Sequence, residues 1–191
     1  MKEELDKQLV EKYPRIFRNR YASMTETAMC WGFECGDGWF DILESLCGNI
    51  DSYTKWRRNM RANDLRIVRA RQKGYDALMK HLTLGRPARE WHEERAQEIM
   101  ENGHNITDKV HWTVADQVKE KFGGLRFYYH GGDEHISGMV RMAESWASVT
   151  CETCGDRGTI RHGGWIRTLC DKHETEYQAR QAKYMSEDDD V

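Results

Sequence analysis

The chain has 191 residues, of which 39% are hydrophobic and 32% are charged, and its formal net charge is −3. Seven Trp, eight Tyr and five Phe supply enough apolar surface for one sizeable core, which argues against disorder except at the ends. No run approaches the roughly eighteen apolar residues that span a bilayer, and the opening MKEELDKQLV is not signal-like. We therefore expect a cytoplasmic protein that does not enter a membrane.

The N-terminal region predicts one short helix followed by an irregular segment. Leu5, Leu9 and Val10 form a helical pattern that reaches Pro14. The sequence MCWGFECGDGW at 29–39 is rich in Gly, Cys and aromatic residues. It cannot form a regular helix.

A long amphipathic helix is predicted from Trp39, where apolar residues begin to recur at steps of three and four. The pattern continues to about His81, with a break expected near Asn63, and LGRP at 84–87 ends it. A further helix is expected over Pro87–Met100, with proline in its first turn.

Residues 110–130 fit two patterns. Four apolar residues at intervals of four fit a helix: Val110, Val114, Val118 and Phe122. The aromatic residues after Gly124 fit a hairpin with a strand at Leu125–Tyr129, which we favour. Because strand side chains alternate between faces, we expect Leu125, Phe127 and Tyr129 in the core rather than on a base-stacking surface beside Lys119, Lys121 and Arg126. A helix capped by Asp133 then leads to Cys151.

Two closely spaced ligand pairs predict a metal site near the C-terminus. CETCG at 151–155 and CDKH at 170–173 each place two ligands three residues apart, which allows both to face one ion. The predicted ligands are Cys151, Cys154, Cys170 and His173. His162 is an alternative fourth ligand, disfavoured by its place in a predicted hairpin turn. Four protein ligands leave no open position for a substrate water, so we expect one structural Zn²⁺ rather than a catalytic one.

The segment around this site predicts a small zinc module. Two strands, Gly158–Arg161 and Trp165–Leu169, would form a hairpin between the ligand pairs, and a helix would follow at Asp171–Tyr184. This order resembles a treble clef or zinc ribbon. The predicted fold class is therefore α+β. A helix-rich domain with a short β-hairpin at 1–148 precedes a zinc-binding module at 149–185 and an acidic tail at 186–191.

Residues 55–73 carry a concentrated positive charge with one acid, Asp64, among them. Such a segment suits phosphates or an acidic protein surface, although a solvated helix paired with acidic neighbours is an equal alternative. The candidate binding residues are Lys55, Arg57, Arg58, Arg61, Arg66, Arg69 and Lys73; Arg71 belongs to the same run.

Two further sites remain open from the sequence. Cys30, Cys35 and Cys47 could bind a second metal with a distant histidine such as His104 or His111, although no second paired motif exists. Three carboxylates at a predicted helix start could hold Mg²⁺ for phosphodiester chemistry, or could only stabilise that helix: Asp37, Asp41 and Glu44.

Three blocks of the chain resemble a family of uncharacterised proteins encoded by tailed phages, prophages and their bacterial hosts. The blocks are TETAMCWGFECGDGWFDILESLC, VKEKFGGLRFYYHGGD and AESWASVTCETCGDRGTIRHGGWIRTLCDKH. The resemblance implies a phage-borne or prophage-borne protein with a C-terminal zinc motif, and it carries over no catalytic residue. Its setting suggests host takeover or inhibition of a host defence system, by association alone.

These observations give three hypotheses about function. The first is a zinc-stabilised, non-catalytic phage accessory protein that binds a host or phage protein complex. The second is a nucleic-acid-binding protein that uses the basic segment at 55–73. The third is a metal-dependent nuclease that uses the three carboxylates. The sequence leaves the oligomeric state open.

Overall fold

The computed structural model describes residues 1–188, and the side chains of 1–183. Within those residues the fold is mixed α+β, as the sequence predicts. The helices are α1 (Glu3–Lys12), α2 (Phe40–Gln72), α3 (Tyr75–Thr83), α4 (Glu90–Asn102), α5 (Glu134–Ala147) and α6 (Asp171–Asp188). The strands are β1 (Phe33–Glu34), β2 (His111–Lys121), β3 (Gly124–Gly132), β4 (Thr159–Arg161) and β5 (Arg167–Leu169). Of the predicted tail, 186–188 continue α6 and 189–191 lie outside the described residues.

The chain divides into two compact units. The first contains residues 1–52 and 111–191, and the second contains residues 53–110. Residues 149–185, predicted as a separate module, lie within the first unit. The predicted domain boundary at residue 148 stays a prediction.

The first unit contains a three-stranded sheet in the order β1-β2-β3. The β2–β3 pair is antiparallel, which confirms the hairpin and rules out the helical alternative for these residues. β1 was not predicted; it pairs in parallel with β2 through Phe33 and Val118. A strand of two residues is too short to show an alternating pattern, and its pairing is non-local.

The β2–β3 turn holds an unusual residue. Lys121 pairs with Gly124, so Phe122 and Gly123 form a two-residue loop, and their φ angles are +54° and +76°. Positive φ at both positions defines the type I′ turn, for which Asn-Gly is the preferred pair. A side chain with a Cβ pays about 1–2 kcal/mol in this left-handed region. Phe122 is nevertheless 70% exposed, so burial does not offset the strain.

Aromatic contacts tie the N-terminal residues to the sheet. Phe17 packs edge-on against Phe33, with ring centroids 4.9 Å apart, and against Phe127 at 6.5 Å. Phe127 and Leu125 are buried, which confirms their predicted place in the core. Tyr129 is half-buried, with its hydroxyl 3.0 Å from that of Ser137.

Two helix boundaries differ from the prediction. The break expected near Asn63 is wrong, because α2 runs without interruption to Gln72. Gly74 separates α2 from α3 with φ of +106°, a conformation that side chains with a Cβ rarely adopt. The helix expected from Pro87 begins instead at Glu90, where the backbone N–H of Arg89 donates to His92 Nδ1 at 3.1 Å and caps the helix start.

The second unit has its own small core. Ile67 of α2, Leu78 of α3, and Ala96 and Ile99 of α4 are buried against one another. This core shows why the basic segment is helical: its apolar residues face α3 and α4, while its cations lie around the remaining surface.

Candidate metal centre

The chain geometry brings the four predicted ligands together. Gly155, with φ of +84°, closes a tight turn in which its N–H donates to the carbonyl of Cys151 at 2.9 Å. The β4–β5 hairpin then returns the chain to Cys170, which directly precedes α6. His173 lies one helical turn further on, so both C-terminal ligands face the same side.

The ligand atoms of Cys151, Cys154, Cys170 and His173 all lie within 4.8 Å of one another. The Sγ atoms of Cys154 and Cys170 are 3.9 Å apart, and His173 Nδ1 lies 3.6 Å from Cys151 Sγ and 3.2 Å from Cys170 Sγ. Zn–S bonds of about 2.3 Å and Zn–N bonds of about 2.0–2.1 Å imply tetrahedral edges of roughly 3.5–3.8 Å. The three measured separations are close to these edges, and the four residues could bind a metal ion.

Hydrogen bonds in the turn act on the thiols. Burial raises the pKa of Cys151, whereas backbone hydrogen bonds from Cys170, Cys154 and Thr153 lower it. The hydrogen bonds together have the larger effect, so the pKa of Cys151 lies below its ordinary value. The pKa of Cys154 is raised to about 12 by partial burial and by the hydrogen bonds that favour its neutral thiol, including one to Asp156 at 3.3 Å. Three adjacent thiols cannot all ionise without a cation between them.

The imidazole of His173 faces the thiols through Nδ1. Its other nitrogen, Nε2, lies 3.8 Å from a carboxylate oxygen of Glu176 on the next turn of α6. A carboxylate on the far nitrogen favours the tautomer that leaves Nδ1 free to bind a metal. His162 does not belong to this cluster.

The metal cluster packs directly on the glycine-rich segment at 36–38. Gly38 N–H donates to the carbonyl of Glu152 at 2.8 Å, and Gly36 N–H donates to the Glu152 carboxylate at 2.9 Å. A Cβ on Gly38 would lie 2.2 Å from the carbonyl oxygen of Cys151, and one on Gly36 would lie 2.2 Å from that of Glu152. Only glycine permits this backbone-to-backbone contact.

Further hydrogen bonds join the cluster to the rest of the first unit. The buried indole N–H of Trp39 donates to the carbonyl of Thr150 at 2.9 Å. The hydroxyl of Thr168, in β5, donates to the carbonyl of Gly123 at 2.6 Å. Sequence reasoning missed these partners; the Gly-Asp-Gly-Trp run at 36–39 is the one signal that could have indicated a close backbone approach.

The N-terminal cysteines do not form a second cluster. Among the described residues, a search for three or more His, Cys, Asp or Glu ligands close enough to share an ion gives the Cys3His group alone. Cys35 and Cys47 are buried, and burial raises the pKa of Cys35 to about 12 and that of Cys47 further. They act as small apolar side chains in the core.

The three carboxylates proposed for Mg²⁺ are not brought together either. Asp37 accepts the backbone N–H of Lys2 at 2.7 Å and pairs with its ammonium at 3.1 Å. Glu44 pairs with Lys12 at 2.5 Å. Two of the three carboxylates are thus neutralised by lysines, and Asp41 is exposed at the start of α2. This arrangement fits the helix-stabilising interpretation.

The basic segment divides into structural and exposed cations. Arg61 donates to the carbonyl of Thr107 at 2.6 Å, and Arg71 donates to that of Met100 at 2.9 Å. Asp64 accepts from Thr107 N–H and lies 2.9 Å from His104 Nε2. Burial raises the pKa of Asp64, but the hydrogen bonds from Thr107 and His104 lower it to about 2. These groups hold the loop that follows α4.

Five cations lie on the exposed surface of α2 and just beyond its end, and one of them, Arg58, also donates to the carbonyl of Val110 at 3.3 Å. We name these cations the basic strip; its members are Lys55, Arg58, Arg66, Arg69 and Lys73. Successive members are separated by three, eight, three and four residues, which is close to whole helical turns, so they share one side of the helix. Arg57 and Arg61 are half-buried and lie off the strip.

Comparison of the chain with protein-family models, with curated proteins and with solved structures found no match. Among the described helices, none is both long enough and apolar enough to cross a membrane. The site is therefore interpreted from its own geometry.

The contact at Gly38 generates a prediction. Gly38→Ala should destabilise the protein by about 1–3 kcal/mol, because the new Cβ meets backbone atoms that cannot rotate away. It should also speed metal loss to a chelator. Gly163→Ala is the matched control, since no atom lies within 4 Å of a Cβ there, and it should change stability by less than about 0.5 kcal/mol. Urea unfolding measures both, and equal stability of the two variants would contradict the close packing.

Proposed function

We propose that this chain is a zinc-stabilised, non-catalytic protein that binds another macromolecule. One observation carries the metal part of the proposal: three sulfurs and one imidazole nitrogen converge at the spacing of a tetrahedral ion. Thiolate and imidazole ligands in that geometry favour Zn²⁺ over the hard cations Mg²⁺ and Ca²⁺. Four protein ligands leave no position for a substrate, so the ion's role is structural.

The order of the elements supports a treble-clef-like arrangement. A turn at 151–155 carries the first two ligands, the β4–β5 hairpin follows, and the start of α6 carries the last ligand. A region with two three-residue strands has little apolar core of its own. Zinc binding contributes roughly 10–16 kcal/mol in comparable peptides, so the ion would determine whether this region folds.

Metal counting tests the ion. Purified protein should contain one Zn²⁺ per chain by elemental mass spectrometry, and a strong chelator should lower its melting temperature because the bound ion stabilises only the folded state. Cys170→Ser should lose most of the metal. Cys30→Ser, which removes a half-exposed cysteine outside the cluster, should keep it. Metal-free protein with an unchanged melting temperature would refute the proposal.

Binding to a host or phage protein complex is the part that the sequence resemblance supports. The partner would be a defence system that the protein inhibits, or a complex used in host takeover. Among the described residues, Asp37 and Glu44 are each paired with a lysine, and the Cys3His cluster has no open position for a substrate. Because these groups supply no reactive centre, they favour binding over catalysis.

Affinity capture tests the partner. Tagged protein from expressing or infected cells should retain one partner in a stoichiometric amount at low salt. The metal-free Cys170→Ser variant should retain less of it than Cys30→Ser, because its C-terminal region is not folded. Repeated absence of a stoichiometric partner would count against the proposal.

A second candidate function is nucleic-acid binding through the basic strip. The observation that favours it is the exposure of these cations on one side of α2. A row of cations attracts phosphates regardless of base sequence, with an affinity that falls steeply as salt rises.

Charge removal tests this candidate. The double substitution Arg66→Ala/Arg69→Ala should weaken binding to duplex DNA. It should also reduce the slope of log K against log salt concentration by about 1.8, because each lost phosphate contact contributes about 0.9. The control, Arg18→Ala/Lys80→Ala, removes the same charge from exposed positions off the strip. Equal effects of the two pairs in a mobility-shift titration would exclude the strip.

A further inference from the structure

A cleft lies between the β2–β3 turn and the loop of the β4–β5 hairpin, which we name the zinc hairpin because it joins the two ligand pairs. The cleft has a volume of about 520 Å³, and its lining includes Lys119, Glu120, Lys121, Phe122, Trp165 and Ile166. Phe122 is 70% exposed and Trp165 is 61% exposed. Two large exposed aromatic rings thus border one cleft, beside two lysines.

The cleft is fixed in shape by contacts beneath it. Thr168 donates to the carbonyl of Gly123, which joins the two hairpins. A Cβ on Gly123 would lie 3.1 Å from the side chain of Ile166, so the turn already sits against the start of β5. The rings are therefore carried by two anchored hairpins rather than by free loops.

The exposed face of the sheet continues from the cleft. Lys119 pairs with Arg126 and Gln117 pairs with Tyr128, so these four side chains share one face with Lys121. Tyr128 is 42% exposed, with the Lys119 ammonium 5.8 Å from its ring centroid. The opposite face carries the buried core residues of the same strands. One face thus combines an exposed aromatic ring with three cations.

The acidic groups near this surface are already engaged or lie to one side. The Glu120 carboxylate accepts the N–H of Gly123 at 2.6 Å, and Glu34 accepts from Gln117 at 2.8 Å. Glu152, with Glu34, lines a neighbouring pocket that Trp165 also borders. A polyanion would therefore be repelled from that pocket and attracted along the lysine side of the cleft.

We propose that this surface binds single-stranded nucleic acid, with bases stacked on Phe122, Trp165 and Tyr128 and phosphates held by Lys119, Lys121 and Arg126. Stacking requires unpaired bases, because the rings cannot reach base faces inside a duplex. Every base has a flat face, so the binding is tolerant of sequence. DNA and RNA share this chemistry.

The turn conformation supports the same conclusion. Phe122 occupies a position with φ of +54° at which Asn would be favoured, and it gains no burial in return. Strained residues that persist without a packing benefit cluster at binding sites. A ring displayed for stacking explains the choice of Phe at this position.

The experiment uses fluorescein-labelled oligo(dT), oligo(U) and a duplex of equal length, titrated with the full chain. Phe122→Asn and Trp165→Ala should each weaken single-strand binding about tenfold or more. Trp165→Phe should bind single strands with an affinity within a few-fold of that of the unaltered protein. On binding, its intrinsic tryptophan fluorescence should lack the part of the quenching that is due to Trp165. Lys119→Ala/Lys121→Ala should reduce the salt dependence of log K by about 1.4. Arg18→Ala/Lys80→Ala, at exposed positions outside both the cleft and the basic strip, should leave single-strand binding unchanged.

Phe122→Asn separates binding from folding, because it should raise the midpoint of urea unfolding while it lowers affinity. The proposal depends on the proposed zinc ion only because the zinc hairpin carries Trp165, so metal content is measured for every variant. Three results would overturn the proposal. The first is a metal-loaded protein that binds no single strand, and the second is a set of aromatic variants that bind single strands as tightly as the unaltered protein does. The third is a set of aromatic variants that lose a protein partner instead of an oligonucleotide. Metal-free protein would refute the zinc proposal separately.

Discussion

The first unit depends on a contact between two stretches of backbone that only glycine permits. Gly36 and Gly38 lie so close to the carbonyl groups of Cys151 and Glu152 that no side chain fits between them. Hydrogen bonds from both glycines and from Trp39 fix the contact. The Cys3His cluster is therefore not an appendage on a linker. It is packed against a segment more than a hundred residues earlier in the chain, and the stability of each should depend on the other.

This packing has a second effect on the surface. The β4–β5 hairpin, which joins the two ligand pairs, is hydrogen-bonded to the β2–β3 turn through Thr168, and Phe122 and Trp165 border the cleft between the two. The proposed ion would therefore stabilise the hairpin that carries Trp165 without touching the cleft. The basic strip belongs to the second unit, and its five members are all cations. The two surfaces therefore differ in chemistry as well as in place.

Local patterns allowed much of this to be predicted. The paired spacing at 151–154 and 170–173 identified four residues that the fold brings together, because each pair needs only a single turn. The α5 cap at Asp133, with Ile136 N–H as donor, is equally local. The hairpin at 110–130 was ambiguous because valines at intervals of four fit a helix. The parallel β1–β2 pair and the glycine contact are non-local. A two-residue strand shows no pattern, and the Gly-Asp-Gly-Trp run at 36–39 indicates a close backbone approach without identifying its partner.

The six cysteines differ sharply in reactivity, and this has a practical consequence. Cys35 and Cys47 are buried, which keeps a reagent away from them, and burial also raises their pKa and so disfavours the nucleophilic thiolate. An alkylating reagent should therefore reach mainly Cys30 while an ion shields the other three sulfurs. Removal of the ion would make the exposed Cys154 and the half-buried Cys170 available to the reagent, whereas Cys151 is buried. The mass added by the reagent thus gives a direct readout of site occupancy, without a spectroscopic signal from the metal.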